Sequence, residues 1–133
     1  YEAKEKDNMQ LFVLTNTTPV LSLFRPAHGA IQLAFSLKEK RYGVLIQTQE
    51  NENVTAVLAG TVVHVNYEID NTYTIMVQHA NYLSVYKNMT KTLKAVGDKV
   101  QAGETLAIMG ELPLWFELWQ DGQPVNPEEV IAF

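Results

Sequence analysis

Val96-Gly97-Asp98-Lys99-Val100-Gln101-Ala102-Gly103-Glu104-Thr105-Leu106-Ala107-Ile108-Met109-Gly110 is the stretch from which the fold is read. Two glycine-containing turns bracket Val100, and the run Leu106 to Met109 ends at a third glycine. Glycine reaches backbone conformations that other residues avoid, so such punctuation suits the sharp corners of a small β-sandwich folded over on itself.

Outward from this phrase the text is of the same kind. From Phe24 onward, short runs alternate with period two, rich in Val, Ile, Thr and Tyr and punctuated by Gly, Asn, Asp and Pro, which is the pattern of strands. The plainest hairpin runs from Thr61 to Tyr67 and returns through Glu68-Ile69-Asp70-Asn71 into Tyr73 to Gln78, with Asp70-Asn71 supplying the tight-turn conformations. Strict alternation predicts Val63, Val65 and Tyr67 on one face and Val62, His64 and Asn66 on the other. On the return strand, Tyr73, Ile75 and Val77 alternate against Thr74, Met76 and Gln78. A second turn at His79-Ala80-Asn81 leads into Tyr82 to Tyr86. No segment keeps a helical stripe, and Pro26, Pro113, Pro124 and Pro127 confine helix to short turns. The expected fold is all-β, a compact antiparallel barrel-sandwich. Residues 24–133 read as one domain and 1–23 as a lead-in, in which Leu11-Phe12-Val13-Leu14 suggests a short strand or an apolar prop.

Composition narrows the function. The 133 residues fit one core, with 47 % hydrophobic and 19 % charged residues. With 10 Lys and Arg against 15 Asp and Glu, the net charge of −5 lacks the basic footprint of a nucleic-acid binder. Zero cysteines exclude disulfides, thiolate metal sites and Cys nucleophiles. No apolar run approaches the roughly 18 residues of a transmembrane helix. The chain starts at Tyr1 rather than Met, which reads as a processed or truncated piece. His28, His64 and His79 have no second ligand at a spacing that would place two donors on one face, so they read as structural or solvent-facing. No GxSxG elbow, phosphate loop or dinucleotide fingerprint is present.

The decisive stretch carries a VGD.V..GE.LA..G pattern that resembles one shared by lipoyl and biotinyl carriers and by LytM-type, lysostaphin-like zinc peptidases. A carrier needs its lysine at the tip of a tight hairpin, and Lys91, Lys94 and Lys99 are not so placed. The strings RYGVLI from Arg41, NVTAVLAGTVV, HANYLSVYKN, VGDKVQAGETLAIMG and PLWFELWQDGQPVNP stand in the order of the LytM-type segments, over roughly Phe24 to Phe133. That resemblance implies the duplicated hybrid-motif variety of barrel-sandwich.

Active members of the family hold one zinc through the His and Asp of an HxGxD phrase and the second His of HxH. A YxH histidine and the first His of HxH complete the site. Three protein ligands leave a position for water, whose pKa the metal lowers toward neutrality. Aligned on this chain, HxGxD falls on Arg41-Tyr42-Gly43-Val44-Leu45, where the Gly alone survives. YxH falls on Tyr86-Lys87-Asn88, and HxH on Pro113-Leu114-Trp115. The resemblance therefore makes Arg41, Leu45 and Trp115 degenerate metal positions and Asn88 and Pro113 degenerate catalytic ones, with no catalytic residue, metal or cofactor expected. Alternation puts Pro113, Trp115, Glu117 and Trp119 on one side of their strand, opposite a core set of Leu114, Phe116 and Leu118. An indole at the metal position would plug the groove. Trp115 and Trp119 would form a platform for a sugar, peptide or partner, Arg41 would pair with Glu117 or another carboxylate, and Tyr82, Ser84, Tyr86 and Asn88 would rim the groove. The implied protein is an inactive LytM-like domain of a bacterial cell envelope, periplasmic or extracytoplasmic, that binds a peptidoglycan stem peptide or a cell-wall hydrolase. An active zinc-dependent peptidoglycan endopeptidase and a purely structural module are the alternatives.

Overall fold

A computed structural model describes residues 23–133, so the Leu11–Leu14 run lies outside the described residues. Ten strands follow in chain order: β1 (Ala30–Leu33), β2 (Val44–Gln47), β3 (Asn53–Thr55), β4 (Gly60–Tyr67), β5 (Tyr73–His79), β6 (Tyr82–Thr92), β7 (Lys99–Val100), β8 (Thr105–Met109), β9 (Leu114–Gln120) and β10 (Gln123–Val125). Among the described residues the helical structure is a 3-10 turn, Pro127–Glu129, capped by Asn126, whose side chain accepts the Glu128 N–H. No helix among them is long and apolar enough to cross a membrane.

The strands pair antiparallel in the order β1-β2-β9-β6-β5-β4-β7, with β10 on β9 and β8 joining β6 to β3. β6 serves two ladders: Tyr82–Lys87 lies on β9, and Met89–Thr92 lies on β8. Between them Asn88 is the extra residue of a bulge facing β5, at φ 79, a left-handed conformation that Asn tolerates. A bulge bends its strand, which lets the sheet close over its own inner face. Val44, Ile46, Ile75, Val77, Tyr86, Leu114, Phe116 and Leu118 from one layer pack there with Val54, Leu106 and Met109 from the other. The antiparallel barrel-sandwich is as the sequence predicts.

The decisive stretch folds by capping its own turns. Gly97 and Gly103 take φ 97 and 82. The Asp98 carboxylate accepts the Ala95 N–H at 2.8 Å. Glu104 accepts the Gln101 N–H at 2.9 Å and pairs with Lys94, and these contacts draw its pKa down. The turns aim Val100, Leu106, Ala107 and Met109 inward, all buried. The β4–β5 hairpin forms with Tyr67 opposite Tyr73, but strict alternation fails at a bulge between Val62 and His64. Val62 and Val65 face Val77 and Ile75 over the core and Val63 is turned outward, contrary to its predicted face, while Tyr67 keeps the face of Val65, as predicted, and lies exposed at the hairpin end against Tyr73.

Candidate binding cleft

In an antiparallel sheet directly opposed residues project from the same face. On the outer face, Leu45, Trp115, Lys87 and Thr74 form one row across β2, β9, β6 and β5. Glu117, Val85 and Met76 form a second, and Trp119, Leu83 and Gln78 a third. The alternate residues Leu114, Phe116 and Leu118 are wholly buried beneath, as the strand pattern requires. Period two in β6 also carried the signal for Leu83, Val85 and Lys87, which its tyrosines obscured.

The centre of this face is a clamp. Trp115 Nε1 donates to one Glu117 carboxylate oxygen at 2.7 Å, and Trp119 Nε1 donates to the other at 2.8 Å. An indole N–H only donates and a carboxylate only accepts, so both bonds are charge-assisted and fix both rings. The three side chains stay half-buried. Tyr42 leans on Trp119, ring centroids 6.3 Å apart and tilted by 57°. Beside it Gly43 lies so close to β9 that a Cβ would sit 2.6 Å from the Phe116 carbonyl oxygen and 2.8 Å from the Trp115 ring. The surviving glycine of the aligned phrase is thus held by close approach of backbone and indole.

The other predicted site residues divide. Leu45 and Trp115 are direct cross-strand partners. Asn88 Nδ2 donates to the Pro113 carbonyl at 2.9 Å, joining those two positions. Arg41 does not reach Glu117: its guanidinium donates to the Ala34 carbonyl at 2.9 Å, and Glu117 is taken up by the indoles. Tyr86 and Ser84 do not rim the cleft either. Both are wholly buried, because alternation along β6 sends them inward, where the Tyr86 hydroxyl accepts the Val57 N–H at 3.2 Å. Burial pushes that phenol up to about 12. His79 is buried with them, its pKa lowered by desolvation, while His28 and His64 are exposed. Toward the Lys87 end of this face a hollow of about 390 Å³ is lined by Glu68, Ile69, Asp70, Lys87 and Asn88 among others. Glu68 is held below its ordinary pKa by the Thr74 hydroxyl, the Asn66 side chain and Lys87.

The residues that the motif resemblance puts at metal positions, Arg41, Leu45 and Trp115, do not fit a zinc ion. Zinc needs lone pairs from imidazole, carboxylate or thiolate; a guanidinium is cationic, an isobutyl group has no donor atom, and an indole nitrogen offers only its proton. Among the described residues no cluster of three or more His, Cys, Asp or Glu is placed to hold a metal.

Comparison with known proteins agrees with this architecture. The murein hydrolase activator EnvC of Escherichia coli (strain K12) is 29 % identical over 93 residues, 65 % of this chain, and the chain spans 22 % of that relative. Helicobacter pylori Csd3 superposes with a TM-score of 0.77 at 19 % identity over 85 % of this chain and 35 % of its own. A chain of the SpoIIQ–SpoIIIAH pore-forming complex gives 0.74 at 19 % identity, over 86 % of this chain and 93 % of its own. The sequence profile of peptidase family M23 matches residues 39–127. With that match spanning most of the sandwich and its outer-face cleft, the chain belongs to peptidase family M23.

Proposed function

We propose that this M23 domain is catalytically inactive and works by binding, in a bacterial cell envelope on the periplasmic or another extracytoplasmic side. Its partner is a cell-wall hydrolase or a peptidoglycan stem peptide, and it uses no cofactor. The observation that carries this reading is the clamp: at the position our motif alignment assigns to a metal ligand, Trp115 stands fixed by Glu117, with Leu45 opposite and no lone pair between them. A hydrolase made this way would lack both the activated water and the Lewis acid. The name of the relative EnvC, a murein hydrolase activator, favours a regulatory partner.

The test is metal content and activity of protein purified without tags or chelators. We expect no stoichiometric zinc and no cleavage of muropeptides. We also expect saturable binding of a purified murein hydrolase or a stem peptide that Trp115→Ala weakens. Stoichiometric zinc with cleavage overturns the proposal in favour of an active endopeptidase. Failure to bind either class leaves a purely structural module.

A further inference from the structure

We infer that the hollow beside Trp119 is a saccharide site. It has a volume of about 400 Å³, within the roughly 300–1,000 Å³ of small-ligand sites. Its floor is the third row of the outer face, Trp119, Leu83 and Gln78. Its walls are two hairpin turns, Ala80-Asn81 and Asp121-Gly122, held together by the Asp121 N–H on the Asn81 carbonyl at 3.1 Å. Both turns need left-handed residues, Ala80 at φ 47 and Asp121 and Gly122 at φ 51 and 80, so they are short and fixed in shape.

The chemistry of the lining selects the ligand. Trp119 spends its only polar atom on Glu117, so it offers the hollow carbon, a preoriented aromatic face suited to the C–H face of a pyranose ring. Gln78 spends both protons of its amide nitrogen on the Ala80 and Tyr82 carbonyls, at 2.7 and 2.8 Å, which leaves its oxygen to accept. Asp121 accepts, and Asn81 both donates and accepts. An aromatic face ringed by acceptors and one amide matches a neutral ligand with hydroxyl groups on its rim. Asp121, the one ionised group of the lining, disfavours an anionic peptide end. This inference rests on the reading of the chain as a wall-binding module and names the ligand of its second site.

The experiment is titration of the full chain with N-acetylglucosamine oligomers, and in parallel with glucose oligomers, followed by intrinsic fluorescence of its two tryptophans and by calorimetry. We expect saturable binding that Trp119→Ala weakens by at least about tenfold. Trp119→Phe, which keeps a ring in a fold that circular dichroism shows intact, should retain part of it, and Asn81→Ala should lower it several-fold. Binding of the acetamido series alone assigns a wall-type glycan, and equal binding of both series assigns a general pyranose platform. Either outcome upholds a saccharide site. No binding of either series by folded protein, or binding unchanged in Trp119→Ala, overturns it. Stem-peptide or hydrolase binding that persists in that event keeps the proposed function and removes only this site.

Discussion

Two hydrogen-bonded trios sit back to back on the same sheet. On the inner face His79, Ser84 and Tyr86 form a line from the Ala59 carbonyl to the Val57 N–H. On the outer face Trp115 and Trp119 close on Glu117. The inner trio is all but sealed from water, whereas every member of the outer one is half-buried. Both are fully satisfied, yet satisfaction does different things in the two places. Inside, each bond cancels the penalty of burying a polar group, so the line is a condition of folding. Outside, the same device holds two large rings still while leaving area to cover, which lowers the ordering cost of the binding proposed above.

The sharpest way to break this contrast is to remove its inner anchor. Tyr86→Ala should cost about 3–5 kcal/mol, the usual penalty for emptying an aromatic site in a core, with the orphaned Val57 N–H adding to it. Urea unfolding measures the loss. Trp115→Ala should cost clearly less in the same assay, and an equal loss would show that the outer trio also serves mainly to hold the fold.

Gly43 tests the outer side. Gly43→Ala brings a methyl group against the Phe116 carbonyl, which belongs to the β9 backbone and can yield only if β2 shifts. Overpacking of this kind costs about 1–3 kcal/mol, and it should disturb the Trp115 ring 2.8 Å away. The midpoint of unfolding and the tryptophan emission maximum should therefore move together. A drop in stability with unchanged emission would place the strain in the backbone alone and loosen the link between glycine and clamp.

How much of this was legible beforehand follows from what a strand pattern encodes. Leu114, Phe116 and Leu118 were readable as core because nothing interrupts alternation along β9. Val63 departs from its expected face because a bulge adds one residue to β4, and no composition rule separates a bulged valine from its neighbours. Tyr86 departs from expectation for a different reason. It carries a polar group, and sequence does not show that Ser84 and the Val57 N–H are waiting inside to satisfy it. Arg41 went to the Ala34 carbonyl because the backbone bridge between Ser36 and Arg41 closes a loop there, a contact set by turn geometry rather than charge. The Glu117 clamp needed only alternation and two indoles, but its hydrogen bonds depend on ring orientation that spacing leaves open.

The smallest expected effect, confined to a narrow pH window, comes from His79. The Ala59 carbonyl can only accept, so Nδ1 carries the proton and Nε2 of the neutral ring accepts from the Ser84 hydroxyl. Ser84 has no second proton, so the Tyr86 hydroxyl donates to it in turn, and Val57 donates to Tyr86. Desolvation pulls the pKa of this imidazole below 6.5, and a second proton on the ring would end acceptance at Nε2 and force the Ser84 proton onto the Val77 carbonyl, at 3.5 Å a poorer partner. The unfolded chain takes up a proton near 6.5 while the folded one resists. Stability from this residue is therefore whole above that pH and falls as the pH drops from 6.5 toward the depressed value. Glu68 and Glu104, both lowered from 4.5, act only in more acid solution. Urea midpoints between pH 7.5 and 5 should decline in the native protein and stay flatter in His79→Gln, which keeps a donor and an acceptor but does not titrate; parallel curves would mean that the inner line tolerates the charge.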